Sequence, residues 1–532
     1  MPSDRNWVFA PIGLFCFNLF QEKGAFAMND MSQGQRQELT AEQQWEQFTA
    51  LKTADDYIDS LRGRNLDVYL LGERIEEPVD HPIVRPSINA MAESYILADE
   101  DPDLATAWSS ISDQQINRFL HVPESAEDLV QKNKMQRRMG QLTGTCFQRC
   151  AGLDTLSVLF SITYDIDKKH GTPYHQRYVN FMKKAQANNL IVGAGMTDPK
   201  GDRSKRPSDQ ADPDLFMHVT RRTEAGLYVK GAKAHMTGGL NSHWICVMPT
   251  MNMLEGDKDY AVIGMIPATA AGLTYVYGRQ SCDTRALETG DIDKGNAKYG
   301  GQETLVIFDD VFIPWEHVLM DGEYEFAQEL VSRFTAYHRA SYVCKTGLGD
   351  VMIGAASSVA EMNGAETASH VRDKLVEMTH LNETIYSSGI ASSYEATQHE
   401  SGAFINDPIL ANICKHNVTR FPYEISRLAQ DLAGGLMVTL PSQADFEHET
   451  IGPQLDKYLQ GKTSVTTEDR TRMLRLIENM TLGRNAVGYL TESMHGAGSP
   501  QAQRIQVLRE TDFGKKQSLA RRLAGIIATD RD

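Results

Sequence analysis

Cysteine is scarce in this chain. Seven in 532 residues, at positions 16, 146, 150, 246, 282, 344 and 414, are too few to knit a protein of this size with disulfides. In a reducing compartment such cysteines are buried fillers, nucleophiles or metal ligands. Basic charge is in the minority: 53 Lys and Arg face 70 Asp and Glu, a net −17. No domain-wide basic stripe is available to displace counterions, which argues against a general nucleic-acid binder. Long apolar runs are missing too. The only sustained one, residues 7–20 (WVFAPIGLFCFNLF), is interrupted by Pro and Asn and falls short of the roughly 20 residues a bilayer span needs. No internal repeat or low-complexity tract is visible, and no G-x-S-x-G, Walker A or Rossmann fingerprint stands in a matching strand–turn–helix context.

The apolar run follows Arg5 and precedes Ala25-Phe26-Ala27, the order of a signal-peptide core and its cleavage site. The competing reading starts translation at Met28, where a polar, helix-prone segment opens, and takes 1–27 as a mis-called extension. The second is preferred, because the chemistry below belongs in cytoplasm. Either way, residues 1–27 stay out of the fold.

What remains is globular in composition, 41% hydrophobic and 23% charged. Its length suits about three domains. Apolar residues recur at three- and four-residue spacing over 53–71 and 135–164, with breakers at Asp80-His81-Pro82 and Arg85-Pro86. Residues 28–187 therefore read as an N-terminal helical domain. Over 188–320 the period changes: 227–230, 260–266, 273–277 and 304–308 are short and rich in β-branched and aromatic residues. That predicts a central antiparallel β domain. Helical spacing returns over 326–362 and 369–393, so 321–532 read as a C-terminal helical bundle. The class is α+β, in the order helices, sheet, helices.

Several segments concentrate chemistry. Cys146-Phe147-Gln148-Arg149-Cys150 would place two thiols on one side of a helix, about 5–6 Å apart at Cβ, suiting a shared cluster or ion. Two buried free cysteines are the commoner meaning of such a pair. Tyr337 to Lys345 (YHRASYVCK) gathers imidazole, phenol, thiol and amine, general acid–base and ligand types. As an isolated segment it also reads as a capped helix with a solvated lysine. Gly195 to Arg203 (GMTDPKGDR) and His235-Met236-Thr237-Gly238-Gly239 are tight, polar turns whose exposed N–H groups can cradle a flavin edge or pyrophosphate. Leu432-Ala433-Gly434-Gly435 permits close backbone approach, for a nucleotide or for helix packing. Glu492, in a stretch ending MHGAGSP, and Glu303, after Gly300-Gly301-Gln302, are candidate acids or bases, or simply element-end charges.

Taken together these segments resemble the 4-hydroxybutyryl-CoA dehydratase / vinylacetyl-CoA Δ-isomerase family, flavin and iron–sulfur enzymes related to the 4-hydroxyphenylacetate 3-monooxygenases. The likeness runs from about Thr53 (TADDYIDSLR, then VDHPIVRPSIN) to about Arg504 (TESMHGAGSPQAQR). It implies an acyl-CoA-dehydrogenase-like fold, FAD, a [4Fe-4S] cluster, a CoA-thioester substrate and a cytoplasmic homotetramer, a dimer of dimers, with neither membrane nor nucleic acid as partner. The resemblance makes Cys146, Cys150, His338 and Cys344 the cluster ligands. It gives catalysis or substrate contact to Gln148, Thr237, Glu303, Tyr342, Lys345 and Glu492, with His338 a further candidate base. It assigns flavin binding to Met196, Thr197, Asp198, Pro199, Lys200, Gly201, Asp202 and Arg203, together with His235, Met236 and Thr237. Gly434 and Gly435 fall in a stretch that serves a neighbouring subunit's FAD.

One departure bears on the ligands. The family pattern has about six residues between the ligand histidine and the last cysteine; this chain has five. On a regular helix the resulting six-residue step misses the ligand face by roughly 120°. Cys344 is therefore a ligand only if the backbone after Tyr342 departs from a regular helix.

The implied activity converts 4-hydroxybutyryl-CoA to crotonyl-CoA and isomerises vinylacetyl-CoA to the same product, in 4-aminobutyrate breakdown or carbon fixation. Its difficulty is an unactivated C3 hydrogen, which accounts for a flavin to accept that hydrogen and a Lewis-acidic iron to hold the leaving hydroxyl. His338 or Glu492 is expected to take the C2 proton, while Tyr342, Lys345 and Glu303 orient or protonate the hydroxyl. The rivals are a flavin-dependent aromatic monooxygenase-like enzyme or cluster-free isomerase on the same fold, and a non-enzymatic helical scaffold. A scaffold has no use for buried ionisable groups.

Overall fold

The computed structural model describes residues 38–287 and 290–526; the extension or leader at 1–27 lies outside the described residues. The α+β class and the order helices, sheet, helices hold. Two sheets form the centre. The larger runs Glu73–Ile75, Asp67–Leu70, Leu273–Tyr277, Glu303–Pro314, Gly226–Thr237, His218–Arg222. The smaller runs Val318–Asp321, Val262–Pro267, Trp244–Val247, Val192–Gly195. Most neighbours are antiparallel, as expected. Two pairs are parallel: Asp67–Leu70 with Leu273–Tyr277, and Val192–Gly195 with Trp244–Val247.

The segment 53–71 needs correction. Its helical spacing is realised only over Ala54–Ser60, capped by the Thr53 side chain. Asn65 then turns at φ 55°, and Asp67–Leu70 alternates between partly exposed and buried residues as a strand of the central sheet. A hairpin, Thr106–Ser109 with Gln114–Asn117, also interrupts the helical region. One core spans these N-terminal elements and both sheets, around Trp45, Phe181, Trp244 and Tyr275. A second fills the C-terminal helices around Met352, Val359, Leu428 and Ile477.

Two stretches read as continuous helices are broken, and the breaks position the site. Residues 135–164 divide into Ala126–Thr143 and Cys150–His170. Gly144 caps the first in the left-handed region at φ 59°, and Gln148 turns the chain at φ 67°. Cys146 is thus a loop residue and Cys150 the first of a helix, not two positions on one helical face. Residues 326–362 divide into Ala327–Ser341 and Cys344–Met362. Tyr342 and Val343 lie in a tight turn whose amides reach back three residues, Tyr342 N to Arg339 O at 3.4 Å and Val343 N to Ala340 O at 3.3 Å. The backbone departs from a regular helix where the short His338–Cys344 spacing requires it. Cys344–Met362 packs tightly on Ala126–Thr143: a Cβ on Gly347 would fall 2.1 Å from Arg137 O, and one on Gly140 2.4 Å from Cys344 O.

Candidate functional site

The helix breaks bring three thiols and an imidazole to one interior region. Cys146 and Cys344 are buried and Cys150 is nearly so. Cys150 and Cys344 interact directly, which raises the Cys150 pKa and lowers that of Cys344. Cys146 has its Sγ 3.7 Å from Glu492 Oε1; burial and that carboxylate push its pKa well up. His338 holds its Nδ1 against Asp154 Oδ2 at 2.8 Å. Asp154, fully buried, also accepts from Lys132 Nζ at 2.9 Å and Ser341 Oγ at 3.0 Å. Burial alone would raise its pKa, but Lys132 and His338 keep it below the usual carboxylate value. Among the described residues no three His, Cys, Asp or Glu side chains converge tightly enough to hold a metal ion.

A second wall carries carboxylates. Glu303 opens its strand directly opposite Thr237, which closes the neighbouring one, and Thr237 Oγ1 donates to both Glu303 oxygens at 2.7 and 2.9 Å. Surrounding protein, then the Glu492 charge, raises the Glu303 pKa well above an ordinary carboxyl. Glu492 does not sit in a glycine-rich loop, as its sequence neighbours suggested. It begins the short helix Glu492–His495, directly after a wide π turn, Val487–Thr491, of a kind common at functional sites. The π turn sets Gly488 so close to the thiol wall that a Cβ there would lie 2.9 Å from Cys146 Cβ. Lys345 Nζ stands 3.6 Å from Glu492 Oε1. Burial would lower its pKa, yet Glu492 and the cysteines hold it above the usual lysine value. Tyr342, 3% exposed, has its phenol pKa raised by burial and then by Glu492.

Gln148 is placed differently from the expected catalytic residues. Its Nε2 donates to Ser87 O at 3.1 Å and to Cys146 O and Gly300 O at 3.3 Å, and its Oε1 accepts from Asn241. These bonds fasten the Cys146–Cys150 loop. The turn at 196–203 follows a strand, Val192–Gly195, and not a helix. Asp198 Oδ1 accepts from Lys233 Nζ at 2.9 Å and from Met217 N at 3.0 Å, and Lys233 also donates to Met196 O. Lys200 and Gly201 both take positive φ, 75° and 40°, as does His235 at 37°. Gly434 and Gly435 are exposed, with nothing within 4 Å of an added Cβ, so this chain does not bring them into the site. Sequence reading missed Lys132, Asp154 and Lys415. A lone Asp in the apolar run CAGLDTLSVLF, and a lone Lys in ILANICKHNV, were the available signals.

Residues 53–320 match the N-terminal part and residues 327–525 the C-terminal part of 4-hydroxyphenylacetate 3-hydroxylase. The chain belongs to the 4-hydroxyphenylacetate 3-hydroxylase family. Within it, the chain is 54% identical over 489 residues to the 4-hydroxybutyryl-CoA dehydratase/vinylacetyl-CoA-Delta-isomerase of Clostridium aminobutyricum, covering 90% of this chain and 100% of that one. It is 25% identical over 442 residues, 81% of this chain and 88% of that one, to the oxygenase component of 4-hydroxyphenylacetate 3-monooxygenase from Thermus thermophilus. Among solved structures, an oxygen-tolerant archaeal 4-hydroxybutyryl-CoA dehydratase from N. maritimus superposes with a TM-score of 0.89 at 63% identity, covering 91% of this chain and 97% of that one. The 4-hydroxyphenylacetate 3-monooxygenase oxygenase complexed with FAD shares the fold, with a TM-score of 0.76 at 23% identity over 89% of this chain and 98% of that one.

Proposed function

We propose that this protein is a 4-hydroxybutyryl-CoA dehydratase that also isomerises vinylacetyl-CoA, a cytoplasmic lyase of CoA thioesters carrying FAD and a [4Fe-4S] cluster. One observation carries the reading: three thiols and a carboxylate-held imidazole meet the Glu492–Lys345 pair, 3.6 Å apart, in a chain 54% identical to such an enzyme over its whole length. The donor set fits the cluster. Three cysteines and a histidine are iron–sulfur ligand types. Asp154 on His338 Nδ1 is the outer partner that metal-binding histidines require, leaving Nε2 for iron. A cluster is also broader than an ion, so its ligands need not converge on one point.

When bound, the flavin supplies reversible electron chemistry and the cluster a Lewis-acidic iron. The rest falls to the chain's own side chains. With His338 committed to Asp154 and the cluster, Glu492 is the base for the C2 proton, taken up on its carboxylate beside Lys345. The raised pKa of Glu303 suits it to supply the proton that the departing hydroxyl needs to leave as water. Lys345 and Tyr342, both held protonated, donate hydrogen bonds to the developing negative charge. Positions 196–203 and 235–237 would hold the flavin. The exposed Gly434 and Gly435 would meet a neighbouring subunit's FAD within a tetramer.

The test is direct. Flavin- and iron-loaded protein is incubated with 4-hydroxybutyryl-CoA, and crotonyl-CoA is the expected product. Hydroxylation of 4-hydroxyphenylacetate with reduced flavin, and no crotonyl-CoA, would overturn the reading in favour of a monooxygenase.

A further inference from the structure

The helix Pro408–Val418 buries an amine that the mechanism above does not use. Lys415 is 0% exposed, and among the described residues no carboxylate forms an ion pair with it. Its Nζ donates to the main-chain carbonyl of Ser493 and lies 3.7 Å from the centroid of the Tyr342 ring. Burial, and then the charge of Lys345, drive its pKa well below the lysine range. Burying an amine without a counter-charge is unfavourable, and a methionine would fill similar space without that cost.

The two contacts of Lys415 join the two walls of the site. Tyr342 forms the turn between the helices bearing His338 and Cys344, and Ser493 follows Glu492. At its other end the Tyr342 ring meets Gly496. A Cβ on Gly496 would lie 2.0 Å from Tyr342 Oη and 3.3 Å from Cζ. Gly496 has φ −57° and ψ 142°, open to any residue, so glycine serves here for space and not for backbone freedom.

We propose that Lys415 and Gly496 are positioning residues for Tyr342: the amine fixes the face of the ring, the glycine admits its hydroxyl, and together they set the phenol against the Glu492 helix. The link to turnover rests on the dehydratase reading; the placement of the ring does not.

Two readouts on the holoenzyme test this separately. With 3-fluorotyrosine at position 342, the fluorine resonance is expected to move or split in Lys415→Met and in Gly496→Ala, and to stay nearer the parent in Lys415→Arg. An unchanged resonance in both Lys415→Met and Gly496→Ala overturns the proposal. For turnover of 4-hydroxybutyryl-CoA, Lys415→Met is expected to lower kcat at least about tenfold with KM within about twofold, and to add nothing further in a Tyr342→Phe background. Additive losses would mean that Lys415 acts by another route. If the parent makes no crotonyl-CoA, the dehydratase reading falls while the resonance still decides the placement. Should Lys415→Met fail to fold, Gly496→Ala supplies the same two readouts.

Discussion

The two walls of the site are held by different means. On the thiol wall each cysteine is placed by a helix that stops or starts: Gly144 ends one, Cys150 begins the next, and Cys344 begins another after the Tyr342–Val343 turn. On the carboxylate wall Glu303 and Thr237 are directly opposed at the end of an antiparallel ladder whose register shifts once just beyond them, between Thr304 and Val306, while Glu492 depends on an irregular turn. A ladder fixes its side chains through a period of two, which substitutions elsewhere barely disturb. Helix breaks fix theirs through single residues and single buried partners. The thiol wall should therefore be the more fragile of the two.

Substitutions that separate the walls sharpen this contrast. Cys344→Ser should give the largest effect: iron is lost while flavin stays, and dehydration falls more than about 100-fold, read from iron and flavin content beside turnover. Glu492→Gln should lower kcat by roughly 10²–10⁴-fold with iron and flavin unchanged, since it removes the base and the Lys345 counter-charge but none of the thiols or the imidazole. Equal iron loss in both variants would erase the distinction between the walls.

Stability should divide in the same way. Asp154→Asn leaves the buried Lys132 ammonium without its counter-charge, and a loss of about 3–5 kcal/mol is expected in denaturant unfolding. The folded pKa of Asp154 is depressed, so its stabilisation is present above the unfolded value near about 4 and is lost as pH falls below it. The Glu303 carboxyl has the opposite sign. Its folded pKa is raised, so the wild type loses stability as pH climbs from about 4.3 towards the folded pKa. Glu303→Gln, which mimics the neutral acid, should match the wild type at low pH and gain on it as pH rises. The smallest change is Gly144→Ala, about 1 kcal/mol for a side chain forced to φ 59° at the helix cap.

The sheet wall was the more legible in sequence. The run 273–277 reappears as Leu273–Tyr277, and Glu303 stands at a strand start as its neighbours suggested. Alternation reports register directly. The thiol wall was legible in composition but not in geometry, because Cys146 and Cys150 lie in a run whose apolar spacing reads straight through the Gly144 break. Only the short His338–Cys344 spacing signalled an interrupted helix, and the Tyr342–Val343 turn answers it. Asp154, Lys132 and Lys415 were hidden for a third reason. Their partners lie 22 residues away, for the Lys132–Asp154 pair, or 78, for Lys415 and Ser493, and no periodicity spans such distances.

The central claim is that the helix breaks assemble a cluster site beside a flavin. Its most direct test is iron, acid-labile sulfide and FAD per chain on protein purified without oxygen. About four irons and four sulfides with one flavin are predicted. Flavin without iron in the intact, folded protein would contradict the account: the three cysteines would then be buried fillers.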